Sequence, residues 1–123
     1  MPTILLIDDD ENMHKIFRCY CRMGGRTDYE IVGVKTLEAG LHVMRQTTLD
    51  AVLLDNRLQP FSDIRETLPH ITSEIGSAKL YVISAHIDEP YLSGREIPGV
   101  DKVIDKFELR NEITGGVLNL QAA

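Results

Sequence analysis

The sequence predicts an alternating α/β domain: a parallel five-stranded sheet with helices on both faces, a three-layer sandwich. Three observations predict it. Short apolar runs without polar alternation recur along the chain, as in strands buried on both faces. Segments of helical period lie between them, and strict alternation of the two favours parallel pairing. Four of the five runs end on residues that carry a charge or a hydroxyl.

The elements follow in order. Thr3-Ile4-Leu5-Leu6-Ile7 is the first run and ends in Asp8-Asp9-Asp10. Asp10 and Glu11 favour a helix start. Met13, Ile16, Phe17 and Tyr20 then repeat at i, i+3, i+4 and i+7 and predict the first helix. Tyr29 to Val34 is the second run. Thr36 is a natural N-cap for a second helix on Leu37, Leu41 and Met44. Ala51-Val52-Leu53-Leu54 is the third run and ends in Asp55. Ile64, Leu68, Ile71 and Ile75 predict a third helix that Pro69 delays or bends. Leu80-Tyr81-Val82-Ile83 is the fourth run, ending in Ser84. A short fourth helix is expected near Asp88 to Arg95, with Pro90 in its first turn. Val103-Ile104 belongs to the fifth run, ending in Asp105-Lys106. Leu109, Ile113 and Val117 predict the fifth helix, weakened by Gly115-Gly116. Five such units with right-handed crossovers suit the flavodoxin-like strand order 2-1-3-4-5, with its switch point between strands 1 and 3.

The chain has 123 residues, so residues 1–123 are expected to form a single domain without an output domain. Its 43% hydrophobic and 26% charged residues suit a globular rather than a disordered chain. A net charge of -6 argues against direct binding of nucleic acid. No apolar run approaches the roughly 18–20 residues a membrane helix needs, and Met1-Pro2-Thr3 has no basic n-region, so no signal peptide is expected. Cys19 and Cys21 lie two apart on a helix, where side chains do not face each other, so they read as packing or surface thiols. A reduced, cytoplasmic compartment is expected.

In the predicted strand order, Asp8, Asp9, Asp55, Ser84 and Lys106 converge at the carboxyl edge of the sheet, where open α/β sheets bind ligands. Three carboxylates brought together repel unless a cation intervenes. An all-oxygen set suits a hard ion such as Mg²⁺. A carboxylate left partly free can attack phosphorus, and an ammonium and a hydroxyl can neutralise the phosphoryl oxygens. Each residue taken singly has a plainer reading: helix start, turn cap, turn serine, surface lysine. Those readings do not account for all of them meeting at one edge. His14, His42 and His70 share no metal spacing and are expected at the surface.

On Leu5-Leu6-Ile7-Asp8-Asp9, Val52-Leu53-Leu54-Asp55, Val82-Ile83-Ser84-Ala85 and Val103-Ile104-Asp105-Lys106, the chain resembles a response-regulator receiver domain of two-component signal transduction, over residues 3 to 121. The resemblance implies that Asp55 is the phosphoacceptor. It implies Mg²⁺ on Asp9, Asp55 and the backbone carbonyl of Arg57, with Asp8 acting through water. Lys106 would pair with the acceptor carboxylate and then the phosphoryl group, and Ser84 would hydrogen-bond a phosphoryl oxygen. Arg57, Ala85 and His86 would flank the group and modulate access and hydrolysis. A histidine kinase or a histidine phosphotransfer protein would be the donor, a downstream protein the recipient of the signal, and a homodimer through the fourth and fifth helices is open to such a domain. Beyond its own phosphoryl transfer and dephosphorylation, no enzyme activity is implied.

The chain also departs from the family's pattern. Phe107 follows Lys106 where proline is common, and Val103 stands where an aromatic residue is frequent. Pro60 lies five residues after Asp55 rather than four, and Asp63 takes a place where glycine is common. These departures predict retained chemistry with an altered switch relay. Two other readings remain: a degenerate receiver serving as a phosphorylation-independent interaction module, and a Mg²⁺-dependent phosphatase with His86 as its base.

Overall fold

The computed structural model describes residues 2–25, 28–93 and 96–118. Its strands are β1 (Thr3–Ile7), β2 (Glu30–Val34), β3 (Ala51–Asp55), β4 (Lys79–Ser84) and β5 (Lys102–Asp105). The helices are α1 (Glu11–Met23), α2 (Leu37–Gln46), α3 (Ile64–Thr72) and α4 (Leu109–Thr114), and a 3-10 turn spans Lys106–Glu108. All strand pairs are parallel, in the order β2-β1-β3-β4-β5. This is the flavodoxin-like arrangement expected from the sequence.

Alternate residues of each strand point to opposite faces, which gives two cores. Ile4, Leu6, Leu53 and Ile83 pack on one face with Met13, Phe17 and Cys21 of α1 and Leu109 and Ile113 of α4. Leu5, Ile7, Val52, Leu54 and Val82 pack on the other with Leu37 of α2 and Ile64 and Ile71 of α3. Burial on both faces holds for β1 and β3 throughout and for β4 after Lys79. The edge strands β2 and β5 are only partly covered, as expected where one flank has no neighbour. No helix among the described residues is long and apolar enough to cross a membrane.

Three expectations are corrected. First, no helix forms between β4 and β5 among the described residues. Residues 88–93 make turns, and Gly94 and Arg95 lie outside the described residues. The amides of Leu92 and Ser93 both donate to the Glu89 carbonyl at 2.9 Å and close one turn. Of residues 88–93 Leu92 alone is buried, at 4% exposure, whereas the equally short α4 buries Leu109 and Ile113, so this segment has little apolar face to offset helix nucleation. The fold thus has four helices among the described residues, and the expected fifth is α4. A dimer through the fourth and fifth helices loses one of its two elements.

Second, Ile16 is 39% exposed. The buried stripe of α1 is Met13, Phe17 and Cys21, with Tyr20 at its margin. Cys19 is exposed, so the two thiols do divide into surface and core. Third, α3 is not delayed by Pro69. It starts at Ile64, where the Asp63 carboxylate accepts the Arg65 amide at 2.9 Å, and it contains the proline. Ile75 lies beyond its end. Gly115 and Gly116 stop α4 before Val117, and the positive φ of Gly116, 102°, is one that favours glycine.

Candidate functional site

Parallel strands deliver their ends to one edge, and the predicted residues are found there. Asp8 follows β1, Asp55 ends β3 and Ser84 ends β4. Asp105 ends β5, and its carboxylate accepts the Phe107 amide at 2.9 Å. That cap starts the 3-10 turn on Lys106 and leaves the lysine facing the edge. A cleft of about 180 Å³ is lined by Asp8, Asp9, Asp55, Arg57, Ser84, Ala85, His86 and Lys106 together. Asp10 and Asn56 complete it.

The charges are arranged around the lysine. Lys106 Nζ lies 3.2 Å from Asp55 Oδ1 and 3.5 Å from Asp8 Oδ2. Asp8 is fully buried and Asp55 is 5% exposed, while Asp9 is exposed. Burial, then the Asp8 charge, push the Asp55 carboxyl up from 3.8 to about 6, with Lys106 opposing only in part. Burial also raises Asp8, against the Asp10 amide and Lys106. Burial of Lys106 works to lower its pKa, but the Asp55 and Asp8 charges outweigh it and the net shift is upward.

One lysine does not neutralise two buried carboxylates and a third nearby. Asp8 Oδ1 accepts the Asp10 amide at 2.9 Å, but Asp8 Oδ2 is buried and accepts no hydrogen bond. Ligand oxygens of Asp8, Asp9 and Asp55 all lie within 4.8 Å of one another. A buried carboxylate oxygen with no hydrogen bond, whose single cation among the described residues is the Lys106 ammonium shared with Asp55, fits a small hard dication that keeps part of its water shell.

Ser84 is 2% exposed. Its Oγ accepts the His86 amide at 3.0 Å and Asn56 Nδ2 at 3.4 Å. With both lone pairs engaged, what remains to offer is its own hydrogen. The Arg57 amide points at Asp55 Oδ1 at 3.4 Å, whereas its guanidinium turns to Glu89 Oε1 at 2.7 Å. Ala85 and His86 form an exposed rim. The one cis peptide among the described residues precedes Pro60, not Phe107. Phe107 is 79% exposed, and Val103 packs against the second core.

Two features escaped sequence reasoning. His14, expected at the surface, is half-buried, and its Nε2 donates to the Asp8 carbonyl at 2.7 Å. This contact holds the loop after β1, and it requires Gly33 opposite, where a Cβ would collide with the imidazole. Gly33→Ala is therefore expected to cost about 1 kcal/mol in thermal unfolding, and in a His14→Ala background the same change should cost nothing. Equal costs in both backgrounds would refute the contact. His42 and His70 are exposed as expected.

The second is Asn56, 1% exposed directly after Asp55. A buried amide must find partners. Its backbone amide donates to the Ile83 carbonyl at 2.8 Å, and its side chain meets Ser84, Tyr91 and the Ile64 amide. The available signal was a side-chain amide next to the end of an otherwise apolar strand.

No family model matches the chain, and no curated protein matches it. Solved structures match its fold. The receiver domain of a sensor histidine kinase from Pseudomonas aeruginosa, which has magnesium coordinated in its active-site cleft, superposes with a TM-score of 0.79 at 17% identity, covering 99% of this chain and 98% of that one. The response regulator TrrA from Thermotoga maritima, in complex with Mg²⁺-BeF, gives 0.74 at 24% identity over 98% and 99%. A response-regulator receiver domain from Clostridium thermocellum gives 0.74 at 17% identity over 98% and 94%. The described residues have the receiver-domain fold, and the matches cover nearly the whole chain.

Proposed function

We propose that this chain is a phosphoacceptor signalling switch of two-component type, phosphorylated on Asp55 with Mg²⁺. The observation that carries this reading is the position of Asp55: a buried carboxylate at a strand end, 3.2 Å from the Lys106 ammonium and within 4.8 Å of the oxygens of Asp8 and Asp9. The magnesium bound to two structural neighbours supports the same reading.

An Asp55 carboxylate oxygen attacks phosphorus, the bond from phosphorus to the donor's leaving atom breaks, and the leaving group departs with that electron pair and takes up a proton. Mg²⁺, on Asp9, Asp55 and the Arg57 carbonyl, with Asp8 through water, would supply charge neutralisation for the phosphoryl oxygens. The chain's own groups do the rest. Lys106 leaves its pairing with the carboxylate for a phosphoryl oxygen, and Ser84 donates its free hydrogen to another. Arg57, Ala85 and His86 stand at the rim, where they set the access of donor and water. The donor is a histidine kinase or a histidine phosphotransfer protein. The output is contact with a downstream protein.

Intact mass after incubation with acetyl phosphate and Mg²⁺ tests this. One added phosphoryl group is expected on the native chain and none on Asp55→Ala or without metal. If the native chain takes no phosphoryl group and binds neither Mg²⁺ nor beryllofluoride, the reading fails. A phosphorylation-independent interaction module then takes its place, a role favoured by Phe107, which is 79% exposed and follows the cleft residue Lys106.

A further inference from the structure

Between β4 and β5 the chain runs without a helix through Ala85 to Ser93, and residues 85–88 are all exposed. Two side-chain contacts nevertheless tie this stretch to the cleft, and a third ties it to α3. Asn56 and Tyr91 share two hydrogen bonds, Nδ2 to the phenol oxygen at 2.9 Å and phenol to Oδ1 at 3.2 Å. Arg57 pairs with Glu89 at 2.7 Å. The Arg65 guanidinium lies 4.3 Å from the centre of the Tyr91 ring. Two of the three ties begin on the residues immediately after Asp55.

We propose that Asn56 and Tyr91 form a relay that reports the state of Asp55 to residues 86–93, with Asn56 as the positioning residue for the Ser84 hydroxyl. The proposal rests on the phosphoacceptor reading. The Ile64 amide donates to Asn56 Oδ1 at 3.3 Å, which settles the amide's orientation and turns Nδ2 toward Ser84. Ser84, Asn56 and Tyr91 are thus joined through one buried amide.

A phosphoryl group on Asp55 brings new acceptor oxygens and added negative charge. It draws the Ser84 hydroxyl, and the contact this strains, Nδ2 to Oγ, is already 3.4 Å long. The same charge attracts the Arg57 guanidinium, which is 53% exposed and free to swing away from Glu89. The Asn56–Tyr91 tie and the Arg57–Glu89 tie weaken together. Besides these ties, residues 86–93 have the turn closed on the Glu89 carbonyl and the buried Leu92 but no helical ladder of hydrogen bonds, so loss of both ties loosens the stretch. Val103 on β5 packs into the second core and has no polar side-chain atom, so the response is carried through Tyr91.

The test is hydrogen exchange of peptides covering 86–93, with intact mass read on the same samples, for native chain and Tyr91→Phe, each with and without acetyl phosphate plus Mg²⁺. Phenylalanine keeps a ring over Arg65 and removes only the hydroxyl. In the native chain, exchange should rise roughly tenfold when the adduct forms, the scale of one ordinary hydrogen bond. Tyr91→Phe should accept the phosphoryl group equally, exchange fast without it, and gain little more with it. A native adduct with unchanged exchange at 86–93 overturns the relay and leaves the phosphoacceptor reading standing. So does a Tyr91→Phe chain that responds as the native one does. Absence of any native adduct in the mass overturns both.

Discussion

Asp55→Asn is expected to make the metal-free chain more stable at pH 7, by about 2–3 kcal/mol in urea unfolding, although it removes the proposed acceptor. The folded Asp55 carboxyl titrates at about 6, against 3.8 for the ordinary group. Between those values the folded chain keeps a proton that the unfolded chain has released. Stability from this group therefore falls as pH rises through the window from 3.8 to about 6 and stays low above it. With Asp55 only 5% exposed, little of the cost is relieved by water. Asparagine removes the ionisation and with it the penalty. The two chains should converge below about pH 3.8, where the carboxyl is protonated in both states. Mg²⁺ should narrow the gap at pH 7 by stabilising the native chain more than the variant. Equal urea midpoints at pH 7, without metal, would contradict the claim that burial and Asp8 strain this carboxylate.

Lys106→Met carries the opposite sign. Its ammonium is the cation 3.2 and 3.5 Å from two buried carboxylates, and it is itself only 23% exposed. Removing it leaves Asp8 and Asp55 facing each other, at an expected cost of about 2–3 kcal/mol. The diagnostic measurement is the double variant. Asp55→Asn should stabilise the Lys106→Met chain more than it stabilises the native one, because the repulsion it relieves is then unopposed. Additive effects in the four-chain cycle would show that the lysine does not couple to Asp55. In the native chain, Lys106 titrates above its ordinary 10.5. Its contribution is complete below 10.5 and is lost as pH rises through the higher folded value, giving an alkaline limb to the stability profile.

The strand ends account for how much of this site was legible. Thr3–Ile7 and Ala51–Asp55 are apolar without alternation, a pattern that demands burial on both faces and hence a parallel sheet between helices. Once those strands are parallel, their last residues must share an edge. Asp8, Asp55, Ser84 and Lys106 then fall together from the strand order alone, and the cleft contains all of them. The helices were less legible where their own signals were weak. Ile16 fits the same periodic stripe as Phe17, but it sits at the margin of that stripe, and the margin met solvent.

What the sequence determined by itself was the alternation of elements and the identity of the groups at the strand ends, because hydrophobic period is a local property read residue by residue; the order β2-β1-β3-β4-β5 was expected because five such units suit the flavodoxin-like fold, and the structure has it. Tertiary structure alone decided the fate of the stretch after Ser84, the buried amide of Asn56 with Tyr91 35 residues away, and the bond from His14 to the Asp8 carbonyl. These depend on which side chains from distant segments meet. A segment with a single buried apolar residue takes whatever shape its contacts impose, and a polar group beside a buried strand is satisfied only by the neighbour that folding brings to it.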